Sequence, residues 1–174
     1  MTQLKHWLVW LSRIHHSWGF GIQSPTDYAF VRYVVNEHWP YYAYETLLDD
    51  DWMQQKLGRL YFRLANWRQP NRMIVDHYQR YWQAGCKKTQ FVSDSDIDHV
   101  ELARVDVDDE NTWNRLLLLC DEHSVMIVEG LWRNPKRWKS LVKDARVMTT
   151  FNLYYCGILL FEKKRYKHHY TINF

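Results

Sequence analysis

Three carboxylates stand at the ends of predicted β-strands, where ligands bind in an open α/β sheet. Asp76 and Asp94 each follow a short apolar stretch, and Glu129 ends the apolar run SVMIVE. Ligands of such sheets bind beyond the carboxyl ends of the strands, where an acid roughly 20 residues after the first turn accepts a ribose hydroxyl. Asp94 lies at about that distance. The spacing makes Asp76, Asp94 and Glu129 candidate cofactor-binding residues.

No residue pattern predicts a catalytic centre or a metal site. The two histidine pairs, residues 15–16 and 168–169, are sequence neighbours, and neighbours on a helix or strand do not face one point. The cysteines are odd in number and far apart, which excludes a C-x-x-C motif and favours a reduced, cytoplasmic setting; they are Cys86, Cys120 and Cys156.

A basic run with one tyrosine, EKKRYKHH at residues 162–169, is the strongest charged feature. It could contact the phosphates of a nucleic acid. Runs of one charge sign are more typical of solvated connections between elements, so we expect a connection between strands here. The formal net charge of +3 permits contact with nucleic acid but does not favour it.

Composition indicates one folded domain. The 174 residues are 47% hydrophobic and 17% aromatic, which is too apolar for a disordered protein. The first residues, MTQLKHWLVWLSRIHH, lack the cleavage site of a signal peptide, and no later stretch is long enough to span a bilayer. We therefore expect a cytoplasmic protein without a membrane span.

The element that must position the carboxylates is the stretch NRMIVDHYQRYWQAG at residues 71–85. It predicts a buried strand over residues 73–76 that runs into a helix, the first strand of the sheet. Nucleotide-binding sheets carry a glycine-rich turn at this junction, because only glycine lets the backbone approach the ligand closely. Here the turn holds bulky side chains instead, from His77 to Arg80.

The first 70 residues predict a helical cap. Leu4, Trp7, Leu8 and Leu11 have the spacing of an amphipathic helix, which packs on the domain or serves as a membrane-surface or partner helix. Ser24 and Pro25 favour a helix start, with a helix over residues 25–37 that buries Tyr28, Val31 and Val35. The aromatic loop at residues 39–44 either covers core or lines a pocket, with core as the preferred interpretation. Helix capping is predicted for Asp49, Asp50 and Asp51, before a stripe of Leu57, Leu60, Tyr61, Leu64 and Trp67.

Strands and helices alternate downstream. A second strand is predicted at residues 89–93, a half-exposed strand at 103–107 and a central parallel strand at 124–129. Helices are predicted around Trp113 and around Trp138, and Asn134 with Pro135 is predicted to cap the second of them. An antiparallel pair is predicted at residues 146–151 and 156–161, with a last short strand at 170–174.

Motifs near both ends of the chain resemble those of a known family. The N-terminal part carries GIQSP at residues 21–25, PYYAY at 40–44 and LAN at 64–66. The C-terminal part carries SVMIVEGLW at residues 124–132, GILLF at 157–161 and YTINF at 170–174. In these motifs the chain resembles a bacterial family of small class I S-adenosylmethionine-dependent methyltransferase-like proteins. The resemblance implies a Rossmann-like methyltransferase fold, with Asp76 in place of the acid that orients the cofactor.

Departures from the family pattern indicate a shortened, degenerate member. The family's first strand is similar to I-L-E-I-G-x-G, whereas no glycine follows Asp76 before Gly85 and ring-bearing side chains, His77 and Tyr78, occupy the turn. The family strand ending in D-G-x-H has no counterpart, so about one strand–helix unit is missing. The family's Asp-Asp pair is Glu129-Gly130 here, which leaves one carboxylate.

The predicted fold is an α/β domain of three layers over residues 1–174, with a helical cap at 1–70 and a sheet region at 71–174. The sheet is a reduced, mostly parallel methyltransferase sheet with a C-terminal antiparallel pair, and we expect residues 73–76 and 125–128 to be neighbouring parallel strands. The predicted core comprises Leu60, Leu64, Ile74, Val75, Phe91, Val105, Leu117, Ile127, Val128, Leu141, Ile158 and Leu160.

Three functions are compatible with these motifs. The preferred one is a methyltransferase-like protein that has lost S-adenosylmethionine and catalysis and binds an unidentified protein partner. The others are an active methyltransferase with an unusual cofactor loop, and a nucleic-acid-binding protein. The first predicts no catalytic residue, no metal and no cofactor. It also predicts no pre-formed nucleoside pocket, with side chains of residues 77–82, and the aromatic loop, covering the strand ends.

Overall fold

The computed structural model describes residues 3–48, 51–163 and 166–174. In this part of the chain seven strands form one mixed sheet, in the order β2-β1-β3-β4-β6-β5-β7. Strands β1 to β4 are parallel to one another, β6 runs antiparallel to β4 and to β5, and β7 is parallel to β5. The predicted α/β class and the C-terminal antiparallel pair are thus confirmed.

The parallel half contains β1 (Arg72–Ile74), β2 (Gln90–Phe91), β3 (Val100–Asp106) and β4 (Cys120–Glu129). Strand β3 pairs with β1 through Met73 and Leu102, and with β4 through Val105 and Val128. The prediction that the strands at residues 73–76 and 125–128 are neighbours is therefore wrong. The sequence predicts β3, the strand between them, to be half exposed, because Arg104 and Asp106 alternate with valines.

Strand β3 is instead buried on both faces, as expected of a strand in the middle of a parallel sheet. Even Arg104 is buried. A charged residue tolerates that position only when its charge is paired, and carboxylates at the ends of the flanking strands pair with it.

The antiparallel half contains β5 (Thr149–Asn152), β6 (Cys156–Leu160) and β7 (His168–Thr171). Strand β6 inserts between β4 and β5, so that Ile127 lies opposite Ile158 and Phe151 also lies opposite Ile158. The last strand ends at Thr171, earlier than the prediction of residues 170–174.

The helices are α1 (Gln3–Ser12), α2 (Pro25–Phe30), α3 (Trp52–Arg68), α4 (Gln79–Gly85), α5 (Glu110–Leu118) and α6 (Pro135–Lys143). Their starts follow the predicted caps: Ser24, Asp51 and Asn134 accept hydrogen bonds from backbone N–H groups of α2, α3 and α6. Asp49 and Asp50, also predicted as capping residues, lie outside the described residues.

The predicted burial of Tyr28 is wrong, and the apolar stripe of α1 does not pack fully on the domain. Helix α2 continues as a π-helical turn, Val31–Val35, in which Val31 and Val35 are buried as predicted, but Tyr28 is exposed. In α1 the described members of the predicted stripe, Trp7, Leu8 and Leu11, are largely exposed. None of the helices in the described ranges is long and apolar enough to cross a membrane.

Apolar clusters cover both faces of the sheet. Successive residues of β3 point to opposite faces, so Leu102 joins the cluster under α3 while Ala103 joins the cluster under α5 and α6. The first cluster unites Leu60 of the predicted cap with Ile127 of the sheet. Eight predicted core residues are buried, and Ile74, Val75, Phe91 and Leu160 are only partly buried.

Candidate functional site

At the carboxyl ends of β1, β3 and β4, a buried arginine lies between two of the predicted carboxylates. The register pairs Ile74 with Ala103 and Asp106 with Glu129. Asp76, just after β1, and Glu129, the last residue of β4, therefore flank Arg104 near the end of β3.

Arg104 binds both carboxylates directly. Its Nη1 lies 2.6 Å from Asp76 Oδ1, and its Nη2 lies 2.8 Å from Glu129 Oε2. The Arg104 side chain is only 4% exposed, Glu129 is 14% exposed and Asp76 is 58% exposed. The inner half of this ion-pair network is thus withdrawn from water, where breaking it is costly.

Tyr61 of α3 completes the network from the cap side. Its hydroxyl donates a hydrogen bond of 2.6 Å to Glu129 Oε2. Burial, together with the negative charge of Glu129, raises the pKa of Tyr61 well above its ordinary value, so the hydroxyl stays protonated and donates. Burial disfavours the charge of Arg104, but Glu129 and Asp76 outweigh it and raise the Arg104 pKa. The guanidinium is permanently charged.

The turn after β1 contains a backbone conformation that glycine normally adopts, but a tyrosine occupies the position. Tyr78 lies in the left-handed region, at φ 62° and ψ 25°. This conformation costs a residue with a side chain about 1 kcal/mol or more. Packing offsets the strain, because the Tyr78 ring meets the Tyr61 ring edge-on at 4.9 Å, and Tyr61 stacks on Trp82 at 4.6 Å.

A cleft of about 640 Å³ opens above these strand ends. Asp76, Arg104 and Glu129 lie along its wall, and side chains of the turn border it without filling it. The expectation that no pocket is pre-formed here is therefore wrong. The remaining lining residues are Gln54, His77, Tyr78, Gln79, Arg80, Tyr81, Asp106, Trp132 and Arg133.

Asp94 is not part of this cleft. Its carboxylate pairs with Arg115 of α5, and it lines a separate cavity of about 280 Å³ near the ends of β1 and β2. Asp76, Arg104 and Asp106 border both cavities. Asp76 and Glu129 thus meet at Arg104 in the larger cleft, and Asp94 shares only the smaller cavity with Asp76 and Arg104.

Two residues of the aromatic loop, Tyr41 and Tyr44, cover core as the preferred interpretation expects, whereas Trp39 and Tyr42 are exposed. Tyr41 and Tyr44 pack edge-on against Phe62 of α3 at 4.9 Å and 5.2 Å, in a small cluster with Leu47 and Tyr81. Among the described residues, none at positions 39–44 lines the strand-end cleft. The prediction that this loop packs over the strand ends is therefore wrong.

Gly130 stands where the resembling family has a second acid, and its backbone needs a glycine. Its φ is +84°, and a Cβ there would collide with the Arg133 guanidinium. Arg133 in turn binds Asp106 at 2.5 Å, on the rim of the cleft. Gly130 thus leaves room for an arginine–aspartate pair on the rim of the cleft.

The functional residues that the sequence does not reveal are Arg104, Tyr61 and Arg133. Arg104 looks like the outward residue of an alternating strand, and Tyr61 like one more apolar member of a helical stripe. The one available signal for Arg104 is its place in a strand between two strands that each end in an acid.

Other candidate sites have weaker geometry. No group of three or more His, Cys, Asp or Glu side chains in the described ranges could hold a metal ion. In the basic run, Tyr166 is exposed and Lys167 donates a hydrogen bond to the Asp144 carbonyl at 2.7 Å. Lys164 and Arg165 lie outside the described residues.

No family model, curated protein or solved structure matches this chain significantly. The resemblance to the methyltransferase-like family therefore stays a prediction that depends on the sequence motifs.

Proposed function

We propose that this chain is a methyltransferase-like binding protein that no longer binds S-adenosylmethionine and catalyses no methyl transfer. The observation that carries the proposal is the bridge from Arg104 to Asp76 and Glu129. In a related enzyme these carboxylates would have to be free to bind the cofactor, whereas here Arg104 occupies them.

A nucleoside cofactor needs an unpaired carboxylate that accepts hydrogen bonds from its ribose. Asp76 pairs with Arg104, and Asp94 pairs with Arg115. Freeing Asp76 leaves the buried Arg104 with Glu129 as its remaining partner among the described residues, and freeing Asp94 breaks its pair with Arg115. Either change removes an ion pair that holds the strand ends together.

The cleft suits a polar segment of another protein. Its wall alternates acid and base, from Asp76 and Arg104 to the Asp106–Arg133 pair on the rim. Alternating charges give orientation and specificity to protein contacts more than they give affinity. The proposal therefore places an unidentified protein partner here, in the cytoplasm, with no cofactor.

Calorimetric titration of the chain with S-adenosylmethionine tests the proposal. The expected result is no binding up to about millimolar cofactor, a free energy near −4 kcal/mol. Micromolar binding would overturn it. Arg115→Gln serves as a comparison, because it frees Asp94 at the surface: binding that appears only in this variant still supports the proposal.

One observation favours the enzyme alternative. A cleft of about 640 Å³ lies within the roughly 300–1,000 Å³ of small-molecule sites, so its size admits a nucleoside. Micromolar cofactor binding that disappears in Asp76→Asn would assign the cleft to an active methyltransferase.

A further inference from the structure

A second, positively charged cavity lies between α3, α1 and the last residues of the chain. Its volume is about 360 Å³, and the bases on its wall are His38, Lys56, Arg59 and Arg63. No aspartate or glutamate is among the described residues that line it. It shares no described residue with the strand-end cleft, so a ligand bound here would be independent of the function proposed for that cleft.

Two of these bases lack a counter-charge among the described residues. The Lys56 ammonium lies 5.0 Å from the ring centre of Trp52 and 4.5 Å from that of Phe174, and it pairs with no carboxylate in the described ranges. The Nε of Arg59 is buried and has no hydrogen-bond partner in the same part of the chain. A buried donor without a partner is destabilising, and a bound anion would supply the missing acceptor.

Arg63 keeps a positive charge at a fixed position in the wall of the cavity. It donates hydrogen bonds to the carbonyls of Val34 at 2.7 Å and Val35 at 2.8 Å, which hold its guanidinium in place but do not neutralise it. Burial, and then the charge of Arg63, lower the pKa of Lys56 to about 8. The titratable and charged groups around Lys56 are His6, His38, Arg59, Arg63, Tyr155 and Cys156.

An apolar cavity of about 330 Å³ continues from the cationic one. The two share Trp10, Trp52, Lys56 and Phe174, so Lys56 stands at their junction. Trp7 and Val9 of α1 complete the apolar walls together with His6 and Tyr155. A cationic chamber joined to an aromatic one suits a ligand with an anionic head and an apolar body.

We propose that these joined cavities bind a carboxylate with an apolar tail, its head on Lys56 and Arg59 and its tail between Trp10 and Trp52. A soluble fatty or aryl carboxylate has this chemistry, and so does an anionic lipid in a bilayer. The chamber of about 330 Å³ has room for one apolar tail, which favours the soluble molecule, since a two-chain lipid would have to leave the bilayer to bring its head group to Lys56.

Calorimetry with three probes tests the proposal: decanoate below its micellar concentration, decanol and acetate. Decanoate is expected to bind at least tenfold more tightly than decanol, which lacks the charge, and than acetate, which lacks the tail. Equal binding of decanoate and decanol would overturn the anion site. Binding to vesicles of phosphatidylglycerol, with none to decanoate, would overturn the proposal that the ligand is a soluble carboxylate.

Lys56→Met removes the charge and keeps most of the apolar stem, so it is expected to weaken decanoate binding about tenfold or more and to leave decanol binding unchanged. Lys139→Met on the exposed face of α6 is the matched control and should bind as the unaltered chain does. Should Lys56→Met fail to fold, Arg59→Gln gives the same comparison. A folded variant at either position with unchanged decanoate affinity would contradict the proposal.

Discussion

Replacing Arg104 by methionine should destabilise the fold by about 3 kcal/mol. Removing one partner of a buried ion pair costs about 3–5 kcal/mol, because the other charge stays buried. The lower end applies here, since Asp76 is 58% exposed and regains water, while Glu129 is 14% exposed and keeps the Tyr61 hydrogen bond. Urea unfolding followed by circular dichroism measures the change, which corresponds to a melting-temperature drop of roughly 6–12 °C.

A double-mutant cycle isolates the buried half of the network. Glu129→Gln in the Arg104→Met background should recover roughly 2 kcal/mol, because it removes the stranded carboxylate. Asp76→Asn, the exposed partner, should cost less than about 1 kcal/mol as the matched control. A loss below about 1 kcal/mol for Arg104→Met, or no coupling to Glu129, would refute the reasoning that the bridge is a buried structural element.

Three further perturbations test the same geometry. Tyr61→Phe should cost about 1–2 kcal/mol in urea unfolding, because Glu129 loses a buried donor; no change would show that this bond does not stabilise the fold. Gly130→Ala should lower the free energy of unfolding more than Gly21→Ala does, since both glycines have positive φ but only Gly130 meets a neighbouring side chain. Equal losses would show that backbone strain is the whole cost and that the contact with Arg133 adds nothing. Decanoate binding should weaken as pH rises through about 8, where Lys56 loses its proton, with little weakening between about pH 6 and 7; a flat calorimetric profile up to about pH 9.5 would contradict the role of its charge.

The sequence predicts most elements of the fold because their signals are local. Ser24, Asp51 and Asn134 cap helices as their residue types suggest, and the antiparallel strand pair is recognisable from its apolar runs. Strand order is not local. The charged residues of β3 favour a position away from the sheet centre, and only pairing with carboxylates from other strands makes its buried position tolerable.

The acids of the candidate site can be predicted from the sequence, whereas its bases cannot. Asp76 and Glu129 follow apolar runs, so their strand-end positions can be inferred, but the partner of Asp94 lies on a helix that no local signal connects to it. The turn shows the same limit. The absence of glycine is plain in the sequence, but the left-handed backbone at Tyr78 depends on rings contributed by α3 and α4.

A crystal structure of the chain grown with saturating S-adenosylmethionine tests the central claim most directly. The account predicts that Arg104 still bridges Asp76 and Glu129 and that no cofactor occupies the cleft above them. Cofactor density in that cleft, with its ribose hydroxyls on the carboxylate of Asp76 and Arg104 displaced, would contradict the account.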